Sequence, residues 1–291
     1  ISIDAAFLQQ ALPTLQNDNS QHEYYLTDIV SHAVAQGLPV SGVMAHDSEE
    51  VLGVNDRWQQ VRLERYYQDK QAKKLALLGV QLADYQRIDI RGDLTVGVDS
   101  FIDINCVFEG KVVIGSGCQI GPNVYLKNVT IGDNVEIKAN SVIEGSSIDS
   151  QCVVGPFARL RPGTCLQSKS RVGNFVEIKK TILGAGSKVN HLSYLGDSTL
   201  GLGVNIGAGT ITCNYDGVNK YQTHIHDGAF VGSNTSLIAP VDVGVNATIA
   251  AGSTITSNVP AGNLAVSRSK QKLVVGWELR AKKECKDKDS A

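Results

Sequence analysis

From Ile90 onward a large apolar side chain recurs at every sixth position: Ile90, Val96, Ile102, Phe108, Ile114, Ile120 and Leu126. The step returns at Ile131, Ile137 and Ile143, runs again from Ile148 to Ile178, and resumes from Ile225 to Ile255. This period matches neither the roughly 3.6-residue repeat of a helix nor the alternation of a strand. It predicts a repeat architecture in which each short strand-and-turn unit buries its one large side chain by stacking on its neighbours. Two positions earlier the residue is small in the later runs (Ser146, Cys152, Ala158, Thr164, Ser170; Ala229, Thr235, Ala247, Ser253), as a narrow, filled prism requires. Steps of five at Leu126–Ile131, Ile143–Ile148, Ile178–Leu183 and Leu195–Leu200 each delete one turn residue and set coils of 17 or 18 residues.

The front part has a different pattern. Residues 5–15 and 25–37 read as amphipathic helices, residues 39–44 as a short buried strand, and residues 55–78 as a long helix rich in Arg and Lys. So few elements cannot bury a sizeable core alone, and they read as the end of a larger α/β domain. The domain reading is 1–54 for this remnant, 55–80 for a linker helix, 81–257 for the solenoid and 258–291 for a charged tail. The only methionine is Met44, so a chain starting at Ile1 is not expected to be a complete translation product.

Bulk composition narrows the classes. Twenty-nine glycines and 6% aromatic residues suit turn-dense, thin-cored β structure. A net charge of −2 gives no footprint for nucleic acid, and no apolar run is long enough to span a membrane. Six cysteines without C-x-x-C spacing read as core thiols of a reduced, cytoplasmic protein.

Candidate chemistry centres on His191, in the segment Asn190-His191-Leu192-Ser193-Tyr194-Leu195-Gly196-Asp197. It follows inward Val189 by two positions and is expected to point away from the core. Arg161, Lys179 and Lys180 precede it within about two coils, so outward faces could gather cations around one histidine, a site for a phosphorylated substrate and a general base. Between Thr212 and Ile225 the repeat is interrupted by seven extra residues carrying Asn214, Tyr215, Asp216, Gly217 and Lys220, and loops on a rigid scaffold commonly bear binding groups.

Five segments then carry a specific resemblance: Phe157-Ala158-Arg159-Leu160-Arg161-Pro162-Gly163, Val172–Glu177, His191–Asp197, Asn205–Gly217 and Phe230-Val231-Gly232-Ser233. They resemble the bacterial bifunctional enzymes that acetylate glucosamine-1-phosphate and then uridylylate it. Glu23–Asp28 and Gly53-Val54-Asn55 resemble the end of that family's nucleotidyltransferase domain. The resemblance implies a mainly β fold, a left-handed parallel β-helix of hexapeptide repeats after an α/β, Rossmann-like remnant and a long linker helix. It implies His191 as the base for direct acetyl transfer from acetyl-CoA. Arg161 and Lys179 become the sugar-phosphate clamp, Tyr194 and Asn205 hold the sugar, and Lys220 is a further active-site cation. Coenzyme A contacts fall on Ala208, Asn214, Tyr215, Ser233, Ala251 and Arg268, with Ala208 and Ala251 acting through their backbone. Glu177 either orients the histidine or pairs with Lys179.

Family members pack as homotrimers with active sites between chains, which implies the same here, with products feeding peptidoglycan and lipopolysaccharide precursors. The glycine-rich nucleotide loop of the uridylyltransferase domain is absent from these 291 residues. Asn55 alone resembles the Mg2+ ligand of the intact parent. Two other readings stand beside this one. His224 and His226 flank inward Ile225, a spacing compatible with a zinc carbonic anhydrase-like hexapeptide protein, and a non-catalytic trimerisation module would share the periodicity.

Overall fold

The computed structural model describes residues 1–277. The charged end of the tail, with Lys282, Lys283, Lys286, Lys288 and Cys285, lies outside the described residues. The chain divides into two compact units, residues 1–63 and 64–291.

The first unit is helical. Helix α1 (Ala5–Ala11) is capped by Asp4, whose carboxylate accepts a hydrogen bond from the Phe7 amide at 3.0 Å. Pro13 ends it in a 3₁₀ turn over Leu12–Thr14. Helix α2 (Ile29–Ala35) follows, and Phe7 and Ala11 of α1 meet Ile29 and Ala33 of α2 in a small core flanked by Ile3, Leu8 and Leu15. The strand expected at residues 39–44 does not form: the segment carries no regular structure and is exposed. A strand needs a partner for its backbone groups, and no strand of this unit offers one.

Helix α3 (Arg57–Leu77) carries the chain into the second unit, where Ala72 and Leu75 join the solenoid core. Gln68 closes the first long strand: its amide nitrogen donates to the Ile90 carbonyl at 2.9 Å and its amide oxygen accepts from the Ile90 N–H at 2.8 Å. A side chain thus pairs the backbone of Ile90 as a neighbouring strand would.

The solenoid is a parallel β-helix. Eleven strands of two to four residues stack in order on its first face, from Gln81–Leu82 to Leu264–Ala265. Fourteen more occupy the remaining surface as one continuous sheet, and the pairings within both sheets are parallel. Every sixth-position residue identified in the sequence, from Ile90 to Ile255, is buried, and so are the small positions two residues before. The five-residue steps mark corners turned by a single left-handed residue: Asn128 (φ 52°), Gly145 (φ 52°), Lys180 (φ 46°) and Asp197 (φ 48°). Three of these strands, Tyr125–Ile131, Glu177–Leu183 and Tyr194–Leu200, run unbroken through the corner. Cys106, Cys118 and Cys152 are inward and buried, and burial pushes the Cys106 thiol up to about 11. No helix among the described residues is long and apolar enough to cross a membrane.

Candidate active site

The site is built from columns, because parallel stacking places equivalent residues of successive coils about 4.8 Å apart. His191 ends the strand Lys188–His191 on the first face, exposed as expected, just before the left-handed corner residue Leu192 (φ 49°). The register Val189↔Ile206↔Val231↔Ile249 puts Ala208, Ser233 and Ala251 in the same column above it. Ladder hydrogen bonds trace that column: Gly209 N–H donates to the His191 carbonyl, Asn234 N–H to that of Ala208 and Gly252 N–H to that of Ser233. Arg268 closes it by donating to the Ala251 carbonyl at 2.7 Å. The column above the imidazole thus carries only small side chains.

Below His191 the column continues to Asn174, its direct partner in the neighbouring strand, and His191 Nδ1 lies 2.8 Å from Asn174 Oδ1. The two line a cavity of about 220 Å³ with Gly155, Gly173, Asn190 and Arg171. The sequence reading gave Glu177 the task of orienting the histidine or of pairing with Lys179. The structure corrects both: Glu177 accepts from Arg161 at 2.9 Å. The sequence reading passed over Asn174; its separation from His191 of seventeen residues, one coil length, is the signal that could have found it.

The cations form a second group, on the next face. Register aligns Arg91, Glu109, Lys127, Glu144, Arg161 and Lys179 in one column. Charge alternates along it until Lys179 follows Arg161, and the excess positive charge collects there. Lys220, from the inserted loop, brings its amine close to that of Lys179, and the proximity and charge of this second cation hold Lys179 below the usual lysine range, with desolvation and Arg161 adding to the effect. The loop is braced from within: the Asp216 carboxylate accepts from the N–H groups of Val218 and Asn219, and Tyr221 N–H donates to the Asn214 carbonyl. Tyr215 is exposed and its hydroxyl donates to the Gly217 carbonyl, whereas buried Asn214 donates to the Asp197 carboxylate. Gly196, the partner of Lys179, leaves open the space over which the Tyr194 hydroxyl lies, so Tyr194 belongs with the cations.

Arg161, Lys179 and Lys180, expected around His191, lie across a corner of the prism from it. The imidazole stands at the end of the first face and the cations on the second, with Lys180 spent as a corner residue. Asn205 starts its own first-face strand, three positions ahead of Ala208. His226 faces Asp242 at 3.7 Å, and among the described residues no three His, Cys, Asp or Glu side chains are placed to hold a metal ion, so the zinc reading finds no support. Asn55 lies in the first unit, exposed, with its backbone N–H donating to Gln59 Oε1 at 2.7 Å.

Comparison with known proteins follows the same lines. The family profile for the GMPPB C-terminal domain matches residues 90–172, and that for a hexapeptide repeat of succinyl-transferase matches residues 222–257. The chain is 56% identical over 278 residues to the bifunctional protein GlmU of Marinobacter nauticus, covering 96% of this chain and 61% of that protein. With the GlmU of Methylococcus capsulatus it shares 53% over 287 residues, covering 98% and 62%. It spans about three-fifths of the length of these curated relatives. Among solved structures, the Arabidopsis UDP-N-acetylglucosamine acyltransferase aligns with a TM-score of 0.43 at 16% identity, over 65% of this chain and 70% of that one. At 53–56% identity over nearly all of its own length, this chain matches about three-fifths of a bifunctional GlmU protein.

Proposed function

We propose that the chain transfers an acetyl group from acetyl-CoA to the amine of glucosamine-1-phosphate, yielding N-acetylglucosamine-1-phosphate. The observation that carries this reading is the column Asn174–His191–Ala208–Ser233–Ala251, which gives an extended pantetheine arm a path of small side chains about 14 Å long that ends at an imidazole. Ala208 and Ala251 offer backbone groups along it, and Ser233 and Arg268 offer polar contacts at the far end.

The chemistry needs one base. An ammonium has no lone pair, so His191 Nε2 takes the proton as the nitrogen attacks the thioester carbonyl, and the coenzyme leaves as its thiol. Arg161, Lys179 and Lys220 hold the sugar phosphate, Arg161 through its planar fork and the lysines as point charges, with Tyr194 and Asn205 on the sugar. Asn214 and Tyr215 take their part from the inserted loop. Since the imidazole and the cations occupy different faces of one chain, a homotrimer with acetyl-CoA shared between copies is the assembly we assign. An apolar ridge beside His191 supports it: Phe157, Phe175 and Leu192 sit at left-handed corner positions in successive coils, 49%, 57% and 61% exposed.

The same reading places the chain in the cytoplasm, in keeping with free thiols at Cys106, Cys118, Cys152, Cys165 and Cys213. Uridylyl transfer with Mg2+ is a different matter. Asn55 is one neutral amide, no metal-binding cluster surrounds it among the described residues, and octahedral Mg2+ is not held by one such ligand. We therefore assign these residues acetyl transfer alone.

The test is His191→Ala. Acetyl transfer to glucosamine-1-phosphate at saturating substrates is expected to fall ~10²-fold or more with the fold intact. Activity within a few-fold of the parent would remove His191 as the base.

A further inference from the structure

We infer that Asn174 is the positioning residue of the acetyl transfer: its amide oxygen accepts the Nδ1 proton of His191 and so leaves Nε2 as the free lone pair. The inference rests on the reading of His191 as the base. Its ground is geometric. Asn174 and His191 are direct partners in adjacent parallel strands, and each is the last residue before a left-handed corner, Phe175 (φ 55°) and Leu192 (φ 49°). Both side chains therefore leave the prism in the same direction, one coil apart. The Leu192 N–H donates to the Asn174 carbonyl at 3.1 Å, which fixes the two corners to each other. The side chains then meet at 2.8 Å, Nδ1 to Oδ1.

A histidine that acts as a base needs its other ring nitrogen occupied, because the partner of one nitrogen decides which tautomer is present. A carboxylate would do this and add charge. The nearest candidate, Glu177, is committed to Arg161, and the amide of Asn174 fixes the tautomer without adding charge beside a site that receives a phosphorylated sugar. The pair also forms the wall of the cavity between Gly155, Gly173 and Asn190, where neither glycine offers a side chain to hold the ring instead.

The experiment uses the full chain with 15N-labelled histidine. The six imidazoles are assigned by difference against His191→Gln, and the protonated ring nitrogen of neutral His191 is read from its long-range 15N–1H correlations. The parent is expected to carry the proton on Nδ1. Asn174→Leu is expected to lose that preference and to lower kcat about 10-fold or more, with KM for both substrates little changed. Asn174→Asp retains an acceptor and is expected to restore the Nδ1–H tautomer and most of kcat, which a merely structural role would not do. An Nε2-protonated parent, or a folded Asn174→Leu variant with parental tautomer and kcat, would overturn the proposal. If the parent transfers no acetyl group, the functional reading of the site fails by that result alone, and the tautomer spectra still decide whether Asn174 sets the ring.

Discussion

Lys220 lies against Lys179, amine to amine, although the two are separated by forty-one residues and reach the site from different structures, a loop and a strand. Two ammonium groups in contact repel, and the contact persists because both are anchored. Lys179 is fixed in the strand Glu177–Leu183, and the turn around Asp216 holds the short bridge between Tyr215 and Lys220. An anion placed between them would remove the repulsion, which is what the proposed phosphate site would use.

A proton should therefore accompany the phosphate. Lys179 is held below its ordinary value of 10.5, first by the contact with Lys220. In the window between that lowered value and 10.5, the free folded chain binds fewer protons than the unfolded one, so its stability rises with pH there. A bound dianion pulls the value back up. Binding of glucosamine-1-phosphate just below pH 10.5 is expected to take up protons, measured by calorimetry in buffers of different ionisation enthalpy. Lys220→Met should reduce the uptake, because Lys179 then starts from nearer its ordinary value and is already more protonated. Proton-neutral binding by the parent across that window would show that Lys179 does not face the phosphate.

Arg161 has two tasks, and removing it should expose both. If Arg161 holds the sugar phosphate as proposed, Arg161→Ala deletes that contact and also leaves Glu177 without its partner, turning a neutral pair into a negative charge beside it. Weakening of glucosamine-1-phosphate by about 1.5–3 kcal/mol is expected, toward the lower end because the pair is about one-third exposed. The KM for acetyl-CoA should change far less, since the column of small residues runs from His191 away from Arg161. Equal losses for both substrates would indicate damage to the solenoid rather than to the clamp.

The solenoid was legible in the sequence because its period is enforced at every coil. An inward position has no alternative partner, so Ile102, Leu160 and Val231 announce themselves wherever they stand. The site was legible only in part, for two physical reasons. Spacing along the chain does not say on which side of a corner a residue falls, and Lys180 turned out to be the corner itself. Nor does spacing choose among partners: Glu177 had Lys179, His191 and Arg161 within reach of the sequence argument, and only the register, which sets Glu177 beside Arg159 and near Arg161, selects the last. The front segment failed for the opposite reason. Residues 39–44 have the composition of a buried strand, but burial and pairing are properties of neighbours, which this unit does not supply.

Gly173 tests how tightly the coils around the site are stacked. A methyl group there would land inside the contact radius of the Asn190 carbonyl oxygen, which is backbone and cannot swing aside. Gly173→Ala is expected to cost about 1–3 kcal/mol in thermal or denaturant unfolding, with the largest loss of hydrogen-exchange protection in the coils holding Asn174 and His191. Gly186 has open space around it and only its left-handed φ of 70° to lose. Gly186→Asn should therefore be close to neutral. A Gly173→Ala variant no less stable than Gly186→Asn would show that the coils around the site yield to an added methyl.

The ridge beside His191 offers a test of the assembly. At the same corner of the preceding coils stand Asn105, Asn123 and Asn140, which adopt φ near 60° at little cost and link their side chains in a ladder, Asn105 to Asn123 at 2.9 Å and Asn123 to Asn140 at 3.1 Å. In the next three coils the corner holds Phe157, Phe175 and Leu192, bulky residues for which a positive φ is strained. The two rings stack at 5.3 Å, but half of each stays exposed in the single chain. Strain and exposure together are a poor choice for a monomer and a sound one for a surface that another copy covers. Replacing Phe157 and Phe175 together by Asn extends the existing ladder. The double variant is expected to keep or slightly raise the stability of the isolated solenoid while weakening the proposed trimer, read as a concentration-dependent loss of mass in analytical ultracentrifugation and a parallel loss of the proposed acetyl transfer. A variant that remains a full-strength trimer would remove the ridge from the interface.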